Sequence, residues 1–253
     1  MTLILIKVLM AVMFMAMIYV NYLSNAMPLN NRTQQQISKD YPSYFTPPGI
    51  TFSIWGIIYL LLAGVVINAL FTGATQFAIQ FSDLFVLLFF LTSILNMVWL
   101  FLWHYDKLLS STLTMILYLI GLLWITFYLP NINQLTYIAF SVYTGWISIA
   151  LIANITILIL KYQIKLFVDH SILWYVIVMI TGVTIGLSVL VTTGNLFYIL
   201  VFMWAYAWIF IKHLRKTDHF LPTNLNNFNA LLLMILFIGT LAVFYYQGFV
   251  YSA

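Results

Sequence analysis

Amides and large aromatic residues recur at helical spacing in the sequence, and they are the residues best suited to bind a ligand. In the stretch ILNMVWLFLW, Asn96, Trp99 and Trp103 follow one another at i, i+3 and i+7, which places them on one face of a helix. In another stretch, Trp55 and Tyr59 share a face by i, i+4 spacing. Such faces offer flat apolar surface for stacking, and the amide can orient a ligand by hydrogen bonding.

A third face of the same kind lies in the stretch YTGWISIALIAN. Tyr143, Trp146, Ala150 and Asn154 follow at i, i+3, i+7 and i+11, again on one side of a helix. Ala150 is small and would admit a ligand between the indole ring and the amide. If the three helices are neighbours, the three faces predict one pocket with aromatic walls and two amides.

The elements that carry these faces are long apolar runs. Of the 253 residues, 64% are hydrophobic and 6% are charged, and the mean hydropathy is +1.07. A water-soluble domain could not cover its core with so little polar surface, so the sequence predicts an all-α, polytopic transmembrane helix bundle. The predicted spans are about 3–22, 50–71, 82–104, 110–129, 137–160, 171–192, 195–212 and 228–250.

The separators between the runs contain residues that start or end helices. Ser82 and the pair Ser110-Ser111 are expected to cap helix starts. The chain-breaking pairs are Pro130-Asn131 and Gly194-Asn195, with a further cluster at 222–224. The pair Pro47-Pro48 is expected to keep the first loop extended until the second helix begins.

The basic residues predict the orientation of the chain in its membrane. The loops after the first, third, fifth and seventh runs contain Arg32, Lys39, Lys107, Lys161, Lys165, Lys212, Arg215 and Lys216. The other loops and the C-terminus contain no Lys or Arg, so the positive-inside rule places the odd-numbered loops in the cytoplasm and both termini outside. Lys7 is the exception, and its side chain is expected to extend to the outer surface. We therefore expect a multi-pass protein of a bacterial-type inner (plasma) membrane, with the lipid bilayer and not nucleic acid as its partner.

The first run has an alternative interpretation as a signal peptide. The residues Ser24-Asn25-Ala26 are small or polar enough to form a cleavage site. The run lacks a basic segment before its apolar part, however, and cleavage would leave Arg32 and Lys39 outside, against the charge rule. A membrane-spanning first helix is therefore favoured.

Several kinds of active site have no candidates in this sequence. There is no Glu, and the five Asp residues are not paired, which argues against catalysis by two carboxylates. There is no Cys, which excludes thiol catalysis and disulfides. His104, His170, His213 and His219 all fall at the cytoplasmic edge, and we interpret them as interfacial, solvated side chains rather than metal ligands.

The aromatic faces also have a purely structural interpretation. Trp and Tyr are common in belts at the membrane interface, and Asn in a membrane helix often only bonds a neighbouring helix. With the orientation above, Trp146 and Asn96 lie too deep for an interfacial belt. Both interpretations, a ligand pocket and helix packing, are carried forward.

The order of these motifs resembles that of the TspO/translocator-protein family, also called tryptophan-rich sensory proteins. A Pro-Pro pair is followed by Trp-x-x-x-Tyr, by Asn-x-x-Trp and by Tyr-x-x-Trp-x-x-x-Ala-x-x-x-Asn. The resemblance covers about residues 1–160 and implies a five-helix ligand-binding module there. The family has five helices, and this chain adds three further membrane helices in 161–253. The resemblance also implies the following ligand-binding residues: Pro47, Pro48, Trp55, Tyr59, Asn96, Trp99, Tyr143, Trp146, Ala150 and Asn154.

The resemblance implies a function as well as a fold. The family receives porphyrins, haem-like tetrapyrroles, sterols and other planar apolar molecules, so we expect a hydrophobic small-molecule ligand and a role as sensor, regulator or shuttle. A porphyrin or haem is thus the expected ligand, and no metal site is expected. The rival hypotheses are a secondary transporter of a small hydrophobic solute, a porphyrin-degrading enzyme and a structural membrane partner. A homodimer is a further expectation.

Overall fold

The computed structural model is built from long helices. It describes residues 3–26, 29–33, 36–37, 40–130, 132–215 and 223–252. Within these ranges, eight helices are long and apolar enough to cross a membrane. We number the long helices α1 Leu3–Ala26, α2 Ile54–Phe71, α3 Asp83–His104, α4 Leu108–Phe127, α5 Gln134–Lys161, α6 Ser171–Thr193, α7 Leu196–Leu214 and α8 Thr223–Ser252. The predicted all-α transmembrane architecture is confirmed.

Most of the predicted helix boundaries coincide with capping residues in the structure. The Ser82 side chain accepts a hydrogen bond from the backbone N–H of Phe85 at the start of α3. Gly194 ends α6 in the left-handed conformation, with φ 66°, which a residue without a Cβ adopts at no steric cost. Asn195 then caps α7 by accepting from the N–H of Tyr198.

The predicted cap at Ser110-Ser111 is wrong. Helix α4 already begins at Leu108, and no side chain caps it. Ser111 is fully buried inside the first turns of the helix. Lys107 occupies the N-cap position directly before the helix. The span predicted from hydropathy, which began at about residue 110, therefore started two residues too late. Asn131 and Pro222 of the 222–224 cluster lie outside the described residues.

Short helical segments occupy several connections. A 3₁₀ turn, Gly49–Ser53, follows Pro47-Pro48 and leads into α2, so the second long helix begins later than the predicted residue 50. Two further short helices, Ala74–Gln80 and Lys165–Val168, were not predicted. Their seven and four residues are too few for an apolar period to identify them.

The chain divides into two compact units. The first consists of Met1–Asp40 and Ile54–Ile147, and the second of Tyr41–Ser53 and Ser148–Ala253. Helix α5 contributes residues to both. This geometric partition does not address where the ligand-binding module ends, so the division at residue 160 stays a prediction.

The core of the first unit contains a series of phenylalanine rings. Helix α3 packs against α1 and α4, and α1 also packs against α2. Phe81 and Phe85 lie 5.3 Å apart between ring centroids, and Phe85 meets Phe140 of α5 edge-on at 5.6 Å. All three side chains are almost fully buried, which supplies a large apolar area for packing.

Lys7 caps a neighbouring helix in this unit. Its ammonium group donates hydrogen bonds to the carbonyl oxygens of Leu70, at 3.3 Å, and Thr72, at the C-terminal end of α2. It also lies 5.2 Å from the centre of the Phe77 ring. A cation at a helix C-terminus is favoured by the helix dipole, so this lysine inside an apolar run has defined partners.

The second unit is built around close packing of α6, α7 and α8, which contact one another pairwise. Gly182 and Gly186, four residues apart on α6, both face α7. A Cβ at Gly182 would collide with the hydroxyl of Tyr206, and one at Gly186 would lie 2.7 Å from Cδ1 of Ile199. The absence of side chains at these two glycines therefore allows α6 and α7 to pack closely within the unit.

Candidate functional site

Five of the predicted site residues form one aromatic cluster in the first unit. Trp55 of α2 is its centre and is 7% exposed. Its ring stacks on Tyr59 at 5.5 Å and lies 6.4 Å from Trp99 of α3. The side chains of α5 meet it edge-on, Tyr143 at 6.0 Å and Trp146 at 6.3 Å. We call these five residues the Trp55 cluster.

Helical spacing explains how the Trp55 cluster is assembled. Trp55 and Tyr59 are one turn apart on α2, which brings their rings into the stacked arrangement. Tyr143 and Trp146 are separated by three residues on α5 and therefore approach Trp55 from the same side. Trp103, the next residue on the Asn96 and Trp99 face, extends the cluster with its ring 6.3 Å from that of Trp99.

The indole N–H of Trp99 is a buried polar group of this cluster without a hydrogen-bond partner. Trp99 is 5% exposed, and its Nε1 has no hydrogen-bond partner among the described residues. A buried donor without an acceptor costs about 1–3 kcal/mol. An incoming acceptor next to this nitrogen would recover that free energy.

Asn96 is fully buried, and both ends of its amide are engaged. Its Oδ1 accepts a hydrogen bond from Nδ2 of Asn21 at 2.7 Å, and its Nδ2 donates to the hydroxyl of Tyr118 at 3.2 Å. Tyr118 in turn donates to the hydroxyl of Tyr143. Asn96 therefore connects α1 and α4 to the Tyr143 side chain of the Trp55 cluster.

Sequence reasoning missed Asn21 and Tyr118. Asn21 is the polar residue near the end of the first apolar run, and an amide in a membrane helix generally seeks a partner on another helix. Tyr118 lies in the middle of α4, too far from either end for an interfacial belt. Those positions were the available signals, but neither identifies the partner helix.

The other four predicted residues belong to the second unit. Pro47 is buried and Pro48 half-buried in the first loop, where the Pro48 carbonyl accepts from the N–H of Thr51. On α5, Ala150 is half-buried and Asn154 is buried. The prediction that all ten residues share one site stays a prediction.

The interpretation of the histidines as solvated is wrong for two of them. His104 is fully buried, with Nδ1 2.7 Å from the Leu100 carbonyl and Nε2 3.3 Å from that of Ser24. His213 is also buried, and its Nε2–H donates to the Tyr44 carbonyl at 2.9 Å. Only His170, of the three described, is exposed, and His219 lies outside the described residues. In the described part of the chain, no three acidic or histidine side chains are grouped so that they could hold a metal ion.

The fold and the aromatic cluster define the class of the protein. It is a polytopic helical membrane protein whose buried helix faces are rich in Trp and Tyr. The family model described as TSPO-like protein matches residues 7–244, and the chain belongs to that family. The match confirms the resemblance seen in the motifs and extends beyond residue 160, through α6 and α7 and into α8. The comparisons with curated proteins and with solved structures gave no match.

Proposed function

We propose that this TSPO-like protein binds a planar, largely apolar ligand at the Trp55 cluster and acts as its sensor, regulator or shuttle. The expected ligands are a porphyrin, a haem-like tetrapyrrole or a sterol-like molecule. The observation that carries the proposal is the convergence of Trp55, Tyr59, Trp99, Tyr143 and Trp146, with the unpaired N–H of Trp99 among them.

The physical basis is stacking combined with one unsatisfied donor. Flat ligands bury large areas against aromatic faces, and each aromatic pair adds about 0.5–1.5 kcal/mol beyond the area buried. A carboxylate or carbonyl at the ligand edge would accept a hydrogen bond from Trp99 Nε1. Tyr59 is half-buried, whereas Trp55 is buried. We therefore propose that the ligand enters beside Tyr59, displaces the Tyr59 ring and stacks on Trp55 in its place.

The network of Asn96 supports the site indirectly in this proposal. Asn96 fixes the hydroxyl of Tyr118, and Tyr118 fixes that of Tyr143. Tyr143 is thereby held with its edge toward Trp55 at 6.0 Å. Pro47, Pro48, Ala150 and Asn154 remain proposed ligand contacts on the resemblance alone.

Binding is proposed rather than catalysis because the Trp55 cluster contains no carboxylate, histidine or lysine that could act as general acid or base. The sequence contains no Glu, and its five Asp residues are not paired. We also propose that the odd-numbered loops face the cytoplasm of a bacterial-type cell. A homodimer stays a prediction.

Titration of the purified protein with protoporphyrin IX, followed by Trp fluorescence, tests the proposal. We expect saturable quenching in lipid nanodiscs, and an absence of saturation would reject binding. With the protein reconstituted in liposomes, flux above that of empty liposomes would favour the transporter. Loss of porphyrin absorbance under light in the nanodisc preparation would favour the enzyme.

A single substitution tests the role assigned to the Trp99 donor. Trp99→Phe keeps an aromatic face but removes the N–H, so porphyrin affinity should fall about fivefold, corresponding to about 1 kcal/mol. The control is Trp124→Phe, since Trp124 belongs to α4 and is 48% exposed. Equal affinities for the two variants would show that Trp99 donates no hydrogen bond to the ligand.

A further inference from the structure

A half-open cavity of about 230 Å³ lies within the second unit, in contact with the first loop. Its wall consists of residues 42–45 of that loop, the C-terminal end of α5, and the segment from Phe167 to the first turn of α6. None of its lining residues is among the ten predicted ligand contacts. The cavity therefore has no part in the proposed function.

The wall of the cavity is rich in aromatic rings. Tyr44, Phe45, Phe167, Trp174 and Tyr175 all line it. Phe167 and Trp174 meet edge-on with their centroids 4.5 Å apart, and Tyr44 and Tyr175 do so at 6.0 Å. Rings in these orientations form a concave apolar surface suited to another aromatic ring.

Two polar side chains of the lining are bonded within the protein, whereas the buried indole N–H of Trp174 has no hydrogen-bond partner among the described residues. The hydroxyl of Thr156 donates to the Ile152 carbonyl at 2.9 Å, and that of Tyr175 donates to Oδ1 of Asn229 at 2.6 Å. None of the lining side chains, all of which belong to the described part of the chain, is charged. Because an ion moved from water into such a site loses hydration without gaining a partner of opposite charge, the lining disfavours an ionised ligand.

Helix α7 fixes the loop side of this cavity. The ammonium group of Lys212 donates to the carbonyls of Ser43 at 3.3 Å and Thr46 at 2.9 Å. His213 holds the Tyr44 carbonyl between them at 2.9 Å. The loop wall is therefore positioned without any ligand, which lowers the ordering cost of binding.

We propose that this cavity is a second binding site, for a small uncharged aromatic molecule of one or two fused rings. Its volume of about 230 Å³ is below the range of about 300–1,000 Å³ that is typical of sites for drug-sized ligands. The site is thus too small for a tetrapyrrole macrocycle. The inference goes beyond the proposed function and does not depend on it.

Photolabelling with a neutral diazirine-substituted indole, on the full-length protein in nanodiscs, tests this site. We expect saturable labelling of peptides within residues 156–175, reduced by excess indole but not by indole-3-acetate at the same concentration. Labelling that does not saturate, or that spreads over the lipid-facing helices, would show partition into lipid and overturn the proposal. Equal competition by indole-3-acetate would overturn the assignment of an uncharged ligand.

A matched pair of substitutions on one short helix locates the site. Val168→Phe adds a ring to a lining residue and should lower labelling by about tenfold. Leu166→Phe makes the same kind of change at a residue that is 68% exposed and does not line the cavity, so labelling should stay within about twofold. Unchanged labelling in a folded Val168→Phe protein would overturn the proposal.

The loop anchor provides a second variant that leaves the cavity lining intact. Lys212→Met removes two of the three hydrogen bonds from α7 that hold the loop wall, so labelling should fall by about fivefold as the wall loses its order. Circular dichroism and thermal unfolding check that each variant is folded. Normal labelling in a folded Lys212→Met protein would overturn the assignment of the loop as a wall of the site.

Discussion

The side-chain amide of Asn21 on α1 donates a hydrogen bond to Oδ1 of Asn96 on α3 across 2.7 Å. Both side chains are buried, at 2% and 0% exposure, within an apolar helix unit. The bond is therefore an interhelical contact in a region where no water competes with it. It also starts the series of hydrogen bonds that runs through Tyr118 to Tyr143 of the Trp55 cluster.

The Asn21 and Asn96 side chains should be energetically coupled. Asn21→Leu and Asn96→Leu should each lower the thermal stability in detergent, and the double variant should lose less than the sum of the two. The expected coupling is about 0.6 kcal/mol, with about 1.7 kcal/mol as an upper value for such bonds in membranes. Strictly additive losses would mean that the bond contributes nothing to stability.

The contact between Gly182 and Tyr206 gives a second prediction. A methyl group at Gly182 would displace the Tyr206 hydroxyl, which donates to the Met179 carbonyl at 2.7 Å. Gly182→Ala should therefore lower the free energy of unfolding by about 1–3 kcal/mol. Adding Tyr206→Phe should restore part of the loss by removing the colliding oxygen, and a double variant less stable than Gly182→Ala alone would contradict this.

Gly56 offers the matched control for that substitution. It also lies in a long apolar helix, but a Cβ at Gly56 would meet nothing within 4 Å. Gly56→Ala should be neutral or slightly stabilising because Ala has the higher helix propensity. A loss equal to that of Gly182→Ala would show that the effect is not due to the α6 and α7 contact.

Lys7 is predicted to stabilise the end of α2. Lys7→Gln keeps a polar side chain but removes the charge beside the Leu70 and Thr72 carbonyls, so the melting temperature should fall in line with a loss of about 0.3–1 kcal/mol. Lys107→Gln, at an exposed residue before α4, should have no such effect. The same melting temperature for Lys7→Gln and wild type would refute the capping role.

The proposed orientation can be tested directly because the chain contains no Cys. Thr75→Cys lies in the second loop and Gln163→Cys in the fifth, and both residues are exposed. A membrane-impermeant thiol reagent added to intact cells should label the cysteine at 75 and leave that at 163 unlabelled until the membrane is opened. Labelling of the cysteine at 163 but not of that at 75 would show that the chain has the opposite orientation.

How far the sequence predicts this structure depends on the length scale of each signal. The eight spans were predictable because hydropathy is averaged over about 20 residues, the length needed to cross a bilayer. The short helix Ala74–Gln80 was not, because seven residues carry too little periodic signal. Helical spacing likewise placed Trp55 beside Tyr59, since both lie on one helix.

Contacts between helices were only partly predictable. The grouping of Trp55, Trp99 and Trp146 followed from the assumption that α2, α3 and α5 are neighbours, which the first unit fulfils. The partners of Asn96 and the burial of His104 did not follow, because one sequence does not show which face meets α1 or α4. The positions of these polar residues predicted that partners exist, but not which ones.

The most direct test of ligand binding at the Trp55 cluster is the affinity for protoporphyrin IX of Trp55→Leu beside Trp124→Leu. Both variants replace an indole with an apolar side chain in the first unit, but Trp55 contacts four aromatic rings, whereas Trp124 is 48% exposed. Helical content and thermal unfolding establish that both are folded. We predict an affinity at least about tenfold lower for Trp55→Leu and within about twofold of wild type for Trp124→Leu. A folded Trp55→Leu protein that binds protoporphyrin as tightly as wild type would contradict the proposed site.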